Sequence, residues 1–261
     1  MEFKALHYQE SPLLIANVWD VASARAVERV AENVAENLAE RGAEKGAEKA
    51  GIQAIGTSSA AMASMLGYAD GEGMGFSELR FLVARISAAT DLPLSVDIES
   101  GYSREAGEIV EHIKALEKLG VVGINIEDSI VNGQRMLVDA TEFAERLAEV
   151  RQRLQRDGVD LFINVRTDGF LLDCEQPLSE TQRRIKLYEQ AGADGVFVPG
   201  IEGAEDIRAI VDSCSLPVNV MCMPKLPDFN MLKELGVKRI SMGNFLFAHM
   251  YRNFEQDLTS I

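Results

Sequence analysis

The chain has 261 residues, 47% of them hydrophobic and 26% charged, enough to bury a full core in one α/β barrel or in two smaller domains. Its formal net charge of −15 argues against a nucleic acid or an anionic membrane surface as partner, because both recruit clustered Lys and Arg. No run reaches the roughly 18 apolar residues that span a bilayer, and Met1-Glu2-Phe3-Lys4-Ala5 lacks a basic start leading into an apolar stretch, so a cytoplasmic protein is expected. Cys174, Cys214 and Cys222 are odd in number and lack C-x-x-C spacing, which fits reduced thiols. His7, His112 and His249 are scattered and form no metal-like cluster.

Short β-branched runs at 13–18, 53–57, 94–97, 123–126, 161–165, 195–198, 218–221 and 239–242 read as strands. Between them, stretches at 78–89, 105–119, 140–156, 178–191, 204–213 and 230–235 carry apolar residues at helical spacing. Turn signals fall where strands should begin: Leu119-Gly120, Ala191-Gly192-Ala193, Leu216-Pro217 and Leu235-Gly236. The alternation predicts a single (β/α)₈ TIM barrel over 1–261. A doubly wound open sheet is the other α/β solution, and the absence of G-x-G-x-x-G after the first strand weakens its dinucleotide-binding form.

Residues 30–49 interrupt this rhythm with a four-residue unit of Ala-Glu type repeated five times, from Val30-Ala31-Glu32-Asn33 to Gly46-Ala47-Glu48-Lys49. The composition favours helix. A period of four overshoots the helical repeat, so the stripe Val30, Val34, Leu38 drifts by about 40° per unit and cannot stay buried. With the repeat removed, Arg29 runs into Ala50-Gly51 as a normal first helix would. The repeat is therefore expected to be an insertion that lengthens that helix, mostly exposed, or bending back at Gly42 or Gly46.

Three carboxylates stand at the ends of successive strands: Asp97 and Glu99 in Leu94-Ser95-Val96-Asp97-Ile98-Glu99, and Glu127 in Ile124-Asn125-Ile126-Glu127-Asp128. In a barrel these ends converge on one face, where like charges repel unless a cation sits among them. One or two carboxylates, water and substrate oxygens form the kind of shell Mg²⁺ uses. A single such acid more often caps a helix or pairs with a base; three in succession favour the cation. Asp70, before Gly71, is a fourth acid for the same place or an ordinary turn residue. Gly56-Thr57-Ser58-Ser59 offers hydroxyls and free N–H groups for a carboxylate or phosphate oxygen, or Ser58 is simply an N-cap. Arg166, ending the fifth strand, can grip a substrate carboxylate or balance the neighbouring acids.

Taken jointly, Asn17-Val18-Trp19-Asp20, Gly56-Thr57-Ser58-Ser59, Leu66-Gly67-Tyr68-Ala69-Asp70-Gly71, Val96-Asp97-Ile98-Glu99-Ser100-Gly101-Tyr102, Asn125-Ile126-Glu127-Asp128 and Val165-Arg166-Thr167-Asp168 resemble the isocitrate lyase/phosphoenolpyruvate mutase superfamily. The resemblance implies a barrel whose last helix is exchanged between subunits of a homo-oligomer, dimer or tetramer. It also implies a small 2-oxo or 2-hydroxy carboxylate as substrate, an enolate as reacting species and Mg²⁺ as cofactor. Asp97 then stands as the direct metal ligand, and Glu99, Glu127 and Asp70 hold the ion directly or through water. Ser58, with the backbone of Gly56 and Ser59, takes substrate oxygens, and Arg166 takes the carboxylate.

Three departures qualify the resemblance. The lyases carry a Lys-Lys-Cys-Gly-His loop whose Cys protonates the leaving enolate, whereas residues 129–136 here contain neither Cys nor His. The mutase and the phosphonopyruvate hydrolase have a longer gating loop, of which Asn132 is the one equivalent, unless it only forms a turn with Gly133. Glu99 also stands where Asp is usual. Tyr68, Tyr102 and a metal-bound water are the candidates for the missing proton donor. The expected activity is making or breaking a C–C bond. P–C chemistry is the alternative, and a weakly catalytic scaffold with 30–49 as an assembly element is the non-enzymatic one.

Overall fold

Strands covered on both faces have no polar side to show, so they appear in sequence as unbroken apolar runs. In the computed structural model, which describes residues 2–40 and 51–260, the runs become β1 (Leu13–Val18), β2 (Ile52–Thr57), β3 (Leu94–Asp97), β4 (Gly123–Glu127), β7 (Phe162–Arg166), β8 (Gly195–Val198), β9 (Val218–Met221) and β10 (Arg239–Ser241). They close into an all-parallel barrel in the order β1-β10-β9-β8-β7-β4-β3-β2. This is the expected (β/α)₈ architecture. Around it run α1 (Val21–Glu40), α2 (Ser59–Leu66), α3 (Phe76–Ser87), α4 (Ala106–Glu117), α5 (Ala140–Arg156), α6 (Pro177–Gln190), α7 (Ala204–Val211), α8 (Phe229–Glu234) and α9 (Phe245–Thr259).

The foreseen helices differ from the observed ones only at their ends. Gly120, Gly192 and Gly236 adopt positive φ of 86°, 94° and 89° just after α4, α6 and α8, the left-handed stop that costs glycine nothing. Outward-facing strand residues such as Val96, Ile124, Ile126 and Val165 form one core with the inner faces of α3, α4 and α5. A short 3₁₀ helix over Phe3–Tyr8 closes the N-terminal end of the barrel, with His7 stacked on Phe162 at 4.0 Å between centroids.

Three features go beyond the expected pattern. The segment after β4 is an antiparallel hairpin, β5 (Ser129–Asn132) and β6 (Gln134–Leu137). Helix α1 continues into the repeat as far as Glu40, with Val30 51% exposed; the bend expected at Gly42 or Gly46 lies outside the described residues. Helix α9 buries none of its residues, and Phe245, Tyr251, Phe254 and Leu258 are exposed along it. Among the described residues no helix is long and apolar enough to cross a membrane.

Candidate active site

The C-terminal ends of the strands open onto a cavity of about 190 Å³ whose wall includes Asn17, Ser58, Ser59, Asp70, Asp97, Asn125 and Arg166. Asp97 and Arg166 are the last residues of β3 and β7, and β4 between them ends in Glu127. The register sets Glu127 opposite Arg166, and Arg166 Nη1 lies 2.9 Å from Glu127 Oε2. Arg166 also forks onto Asp168, with Nε 2.6 Å from Oδ1 and Nη2 3.0 Å from Oδ2. Three of its five N–H groups are thus engaged by acids. Arg166 thus balances the neighbouring acids, and one N–H on each Nη has no acceptor among the described residues.

Asp97 is held by Ser59, whose Oγ donates to Oδ2 at 2.8 Å, while its backbone N donates to Thr57 Oγ1 at 2.8 Å. Burial raises the Asp97 carboxyl above the ordinary carboxylate range, and the Arg166 charge opposes that rise. Glu99 is turned the other way: Oε2 accepts from the backbone N of Glu72, and Tyr102 Oη donates to Oε1 at 3.4 Å. Burial, then the charges of Asp97, Asp70 and Glu127, push its carboxyl up to about 8. For Glu127, burial drives the carboxyl up while Arg166, and then Arg135, pull it down.

Ser58 caps α2, its Oγ accepting from Ala61 N at 3.3 Å, and still lines the cavity beside Ser59. Gly56 lies inside β2, away from the cavity wall; a Cβ there would meet Ile15 Cγ2 at 3.0 Å and Asn17 Nδ2 at 3.4 Å, so its smallness serves packing beneath the site. Asn132 sits at the exposed tip of the β5–β6 hairpin, next to Gly133 at φ 74°. Of the proton-donor candidates, Tyr68 is exposed and bonded to Glu78, whereas Tyr102 faces Glu99.

The hairpin delivers a residue that sequence alone did not single out. Arg135 joins the acids, with Nη1 on Glu127 and 2.9 Å from Ser129 Oγ, and Nη2 2.8 Å from Asp70 Oδ2. A second unforeseen group holds the site from behind. Asp128 is fully buried and accepts from Arg184 Nη1 at 3.0 Å, Tyr188 Oη at 2.7 Å and Thr167 Oγ1 at 2.8 Å, while its other oxygen accepts from the backbone N of Asp168 at 3.0 Å. Asp168 is thereby fixed where Arg166 needs it. A signal existed: Thr181, Arg184, Ile185 and Tyr188 share one helical stripe, so Arg184 had to face inward.

The carboxylates of Asp70, Asp97, Glu99, Glu127 and Asp168 outnumber the guanidiniums of Arg135 and Arg166. Such an excess in a partly dry site calls for a further cation or for proton uptake. Among the described residues no three carboxylate, His or Cys side chains lie close enough to grip one ion together. A Mg²⁺ ion at the cavity wall would have Asp97 as its direct protein ligand and would meet the other acids through water.

The model of the phosphoenolpyruvate phosphomutase family matches residues 3–261. The chain belongs to that family. An uncharacterized protein of Mycobacterium tuberculosis is 33% identical over 248 residues, covering 95% of this chain and 84% of its own length. The oxaloacetate decarboxylase of Pseudomonas fluorescens is 32% identical over 167 residues, covering 62% of this chain and 56% of the enzyme. Among solved structures, a provisionally named phosphonomutase of Burkholderia cenocepacia J2315 superposes with a TM-score of 0.84 at 37% identity, covering 98% of this chain and 97% of that one. Oxaloacetate acetylhydrolase with its product oxalate shares the fold with a TM-score of 0.82 at 19% identity, covering 99% and 84%. Family membership bears out the resemblance read from the strand-end motifs.

Proposed function

We propose that this family member is a Mg²⁺-dependent lyase that breaks or makes a C–C bond in a small 2-oxo or 2-hydroxy carboxylate through an enolate, with oxaloacetate the first substrate to test. The reading is carried by the excess of buried carboxylate around Asp97, set beside free donors on Arg166 and the N-terminus of α2. In decarboxylation the electrons of the cleaved C–C bond stay on the substrate carbon as an enolate, CO₂ departs, and the carbon later takes a proton. A cation at Asp97 would supply Lewis acidity to the developing enolate oxygen. The chain's own residues hold and orient: Arg166 presents its two remaining N–H groups to a carboxylate, and the backbone N–H groups at the start of α2 meet a second oxygen. The oxaloacetate decarboxylase relatives, which match over 62% to 69% of the chain, support this chemistry. P–C chemistry is the second reading, favoured by the phosphonomutase neighbour at 37% identity; it would yield or consume a phosphonate or inorganic phosphate.

The exposed apolar side of α9 fits a homo-oligomer in which this helix packs on a second copy. The decisive experiment is calorimetric titration of Mg²⁺ into metal-free protein with and without oxalate, a mimic of the pyruvate enolate, repeated with Asp97→Ala. Metal-dependent oxalate binding that vanishes in the variant is the expected result. No binding by the intact protein overturns the enzyme reading and leaves the repeat at 30–49 as an assembly element.

A further inference from the structure

Beneath the cavity the barrel interior is polar where branched apolar side chains are the rule. Arg239, the first residue of β10, is 1% exposed, and among the described residues no carboxylate lies within ion-pair distance of it. Its Nε and Nη1 find no acceptor, and burial lowers its guanidinium to about 9. A buried unpaired cation is costly, and an apolar replacement would serve stability better. What it does engage is specific. Arg239 Nη2 donates to Asn125 Oδ1 at 3.2 Å and, at the longer distance of 3.5 Å, to Ser95 Oγ, and Asn164 Nδ2 donates to the same Asn125 oxygen at 2.9 Å.

A guanidinium can only donate, so the amide of Asn125 has one permitted orientation, with its oxygen toward Arg239 and its nitrogen away. Asn125 lines the cavity and is the ladder partner of Asp97, and nothing among the described residues accepts from its Nδ2. We propose that Asn125 is a substrate-binding residue whose Nδ2 donates to an oxygen of the bound oxo acid beside Asp97, and that Arg239 is the positioning residue that fixes this donor. The proposal rests on the functional reading above. It gives a site for the second oxygen of an α-oxo carboxylate on the floor of the cavity, with Arg166 and α2 on its walls.

The test measures oxalate affinity in saturating Mg²⁺ for wild type, Asn125→Ala, Arg239→Met, Arg239→Lys and the Asn125→Ala/Arg239→Met double variant, with Mg²⁺ affinity and melting temperature recorded for each. Losing the hydrogen bond should weaken oxalate binding about tenfold in Asn125→Ala. Arg239→Met should lose a comparable factor, the double variant no more than either single one, and Arg239→Lys should recover part of it, with Mg²⁺ affinity unchanged. Oxalate affinity unchanged in Asn125→Ala overturns the proposal, as do single effects that multiply in the double variant. If Arg239→Met does not fold, Asn125→Asp decides. It still accepts from Arg239 but replaces the donor by a negative charge, so it must lose oxalate binding, and wild-type affinity there overturns the proposal. Wild type that binds no oxalate overturns the functional reading as well, whereas wild-type binding with an indifferent Asn125→Ala overturns this inference alone.

Discussion

Replacing Arg184 by Met keeps an unbranched apolar stem in place of the arginine's and removes the cation from a closed network. Asp128 would stay buried at 0% exposure with Tyr188 Oη, Thr167 Oγ1 and the Asp168 amide still donating to it. Lost are the ion pair at 3.0 Å, the bond to Val138 O at 2.9 Å that anchors the end of the hairpin, and the pair with Glu180 at 2.7 Å. Removing one partner of a buried pair costs about 3–5 kcal/mol, and the three surviving donors place this case near about 3 kcal/mol. For a chain of this size that is a fall in melting temperature of about 6–12 °C, measurable by scanning calorimetry at pH 7. Because an uncompensated carboxylate is the cause, Asp128→Asn added to Arg184→Met should recover at least half of the loss. A loss below about 1 kcal/mol, or a double variant less stable than Arg184→Met, refutes the argument. Asp128 also positions Asp168 and through it Arg166, so oxalate affinity should fall with stability.

His7 is buried, and desolvation followed by the Arg239 charge lowers its imidazole from 6.5 to about 3. Below pH 6.5 the unfolded chain takes up a proton that the folded chain refuses. Stability is thus full above 6.5 and falls by about 1.4 kcal/mol per unit on acidification. His7→Phe, in a place stacked on Phe162 and edge-on to Phe3, should flatten the melting-temperature profile between pH 6 and 4.5, and an unaltered slope contradicts this. Gly71 has φ 94°, and a Cβ there would collide with Val131 on the hairpin. Gly71→Ala should cost about 1–3 kcal/mol and speed amide exchange over 129–137, with no change in exchange as the contrary result. Phe254→Glu on the exposed side of α9 should lower the mass measured by light scattering to that of the single chain at micromolar concentration; a wild type that is already monomeric removes the oligomer expectation.

The barrel was legible because the strands are short, mainly apolar runs, four of them opened by a Gly or Pro turn signal, and because acids after two consecutive strands must share one face. The hairpin was less so. Its strands are four residues each, and β5 goes from buried Ser129 to exposed Asn132, so no periodicity marks it beyond Asn132-Gly133 itself, a dipeptide that signals a hairpin turn. Arg135 stayed hidden with it, since which way a loop side chain points depends on a turn that spacing does not reveal. Arg239 escaped for the opposite reason. A charge opening a three-residue strand reads as a solvated end, and only the inward parity it shares with Ser241 places it inside the barrel.

The substitution of Glu for the usual Asp at position 99 has a physical basis in the same geometry. Glu72, Glu99 and Tyr102 all adopt left-handed φ, at 62°, 49° and 56°, each costing on the order of 1 kcal/mol for a residue with a side chain. They are joined in one knot: Glu72 N donates to Glu99, Glu72 Oε1 accepts from Ser100 Oγ at 2.7 Å and Tyr102 N at 2.8 Å, and Arg104 Nη2 lies 2.9 Å from Glu72 Oε2. The extra methylene of Glu99 carries its carboxylate out to the Glu72 amide, a reach that the shorter Asp does not have. Drawn into the knot, Glu99 remains a charge neighbour of Asp97 without sharing the cavity wall with it. Asp97 and Asp70 are then the carboxylates that face the cavity. Asp70 is already paired with Arg135, so Asp97 is the one whose excess charge a bound cation would answer.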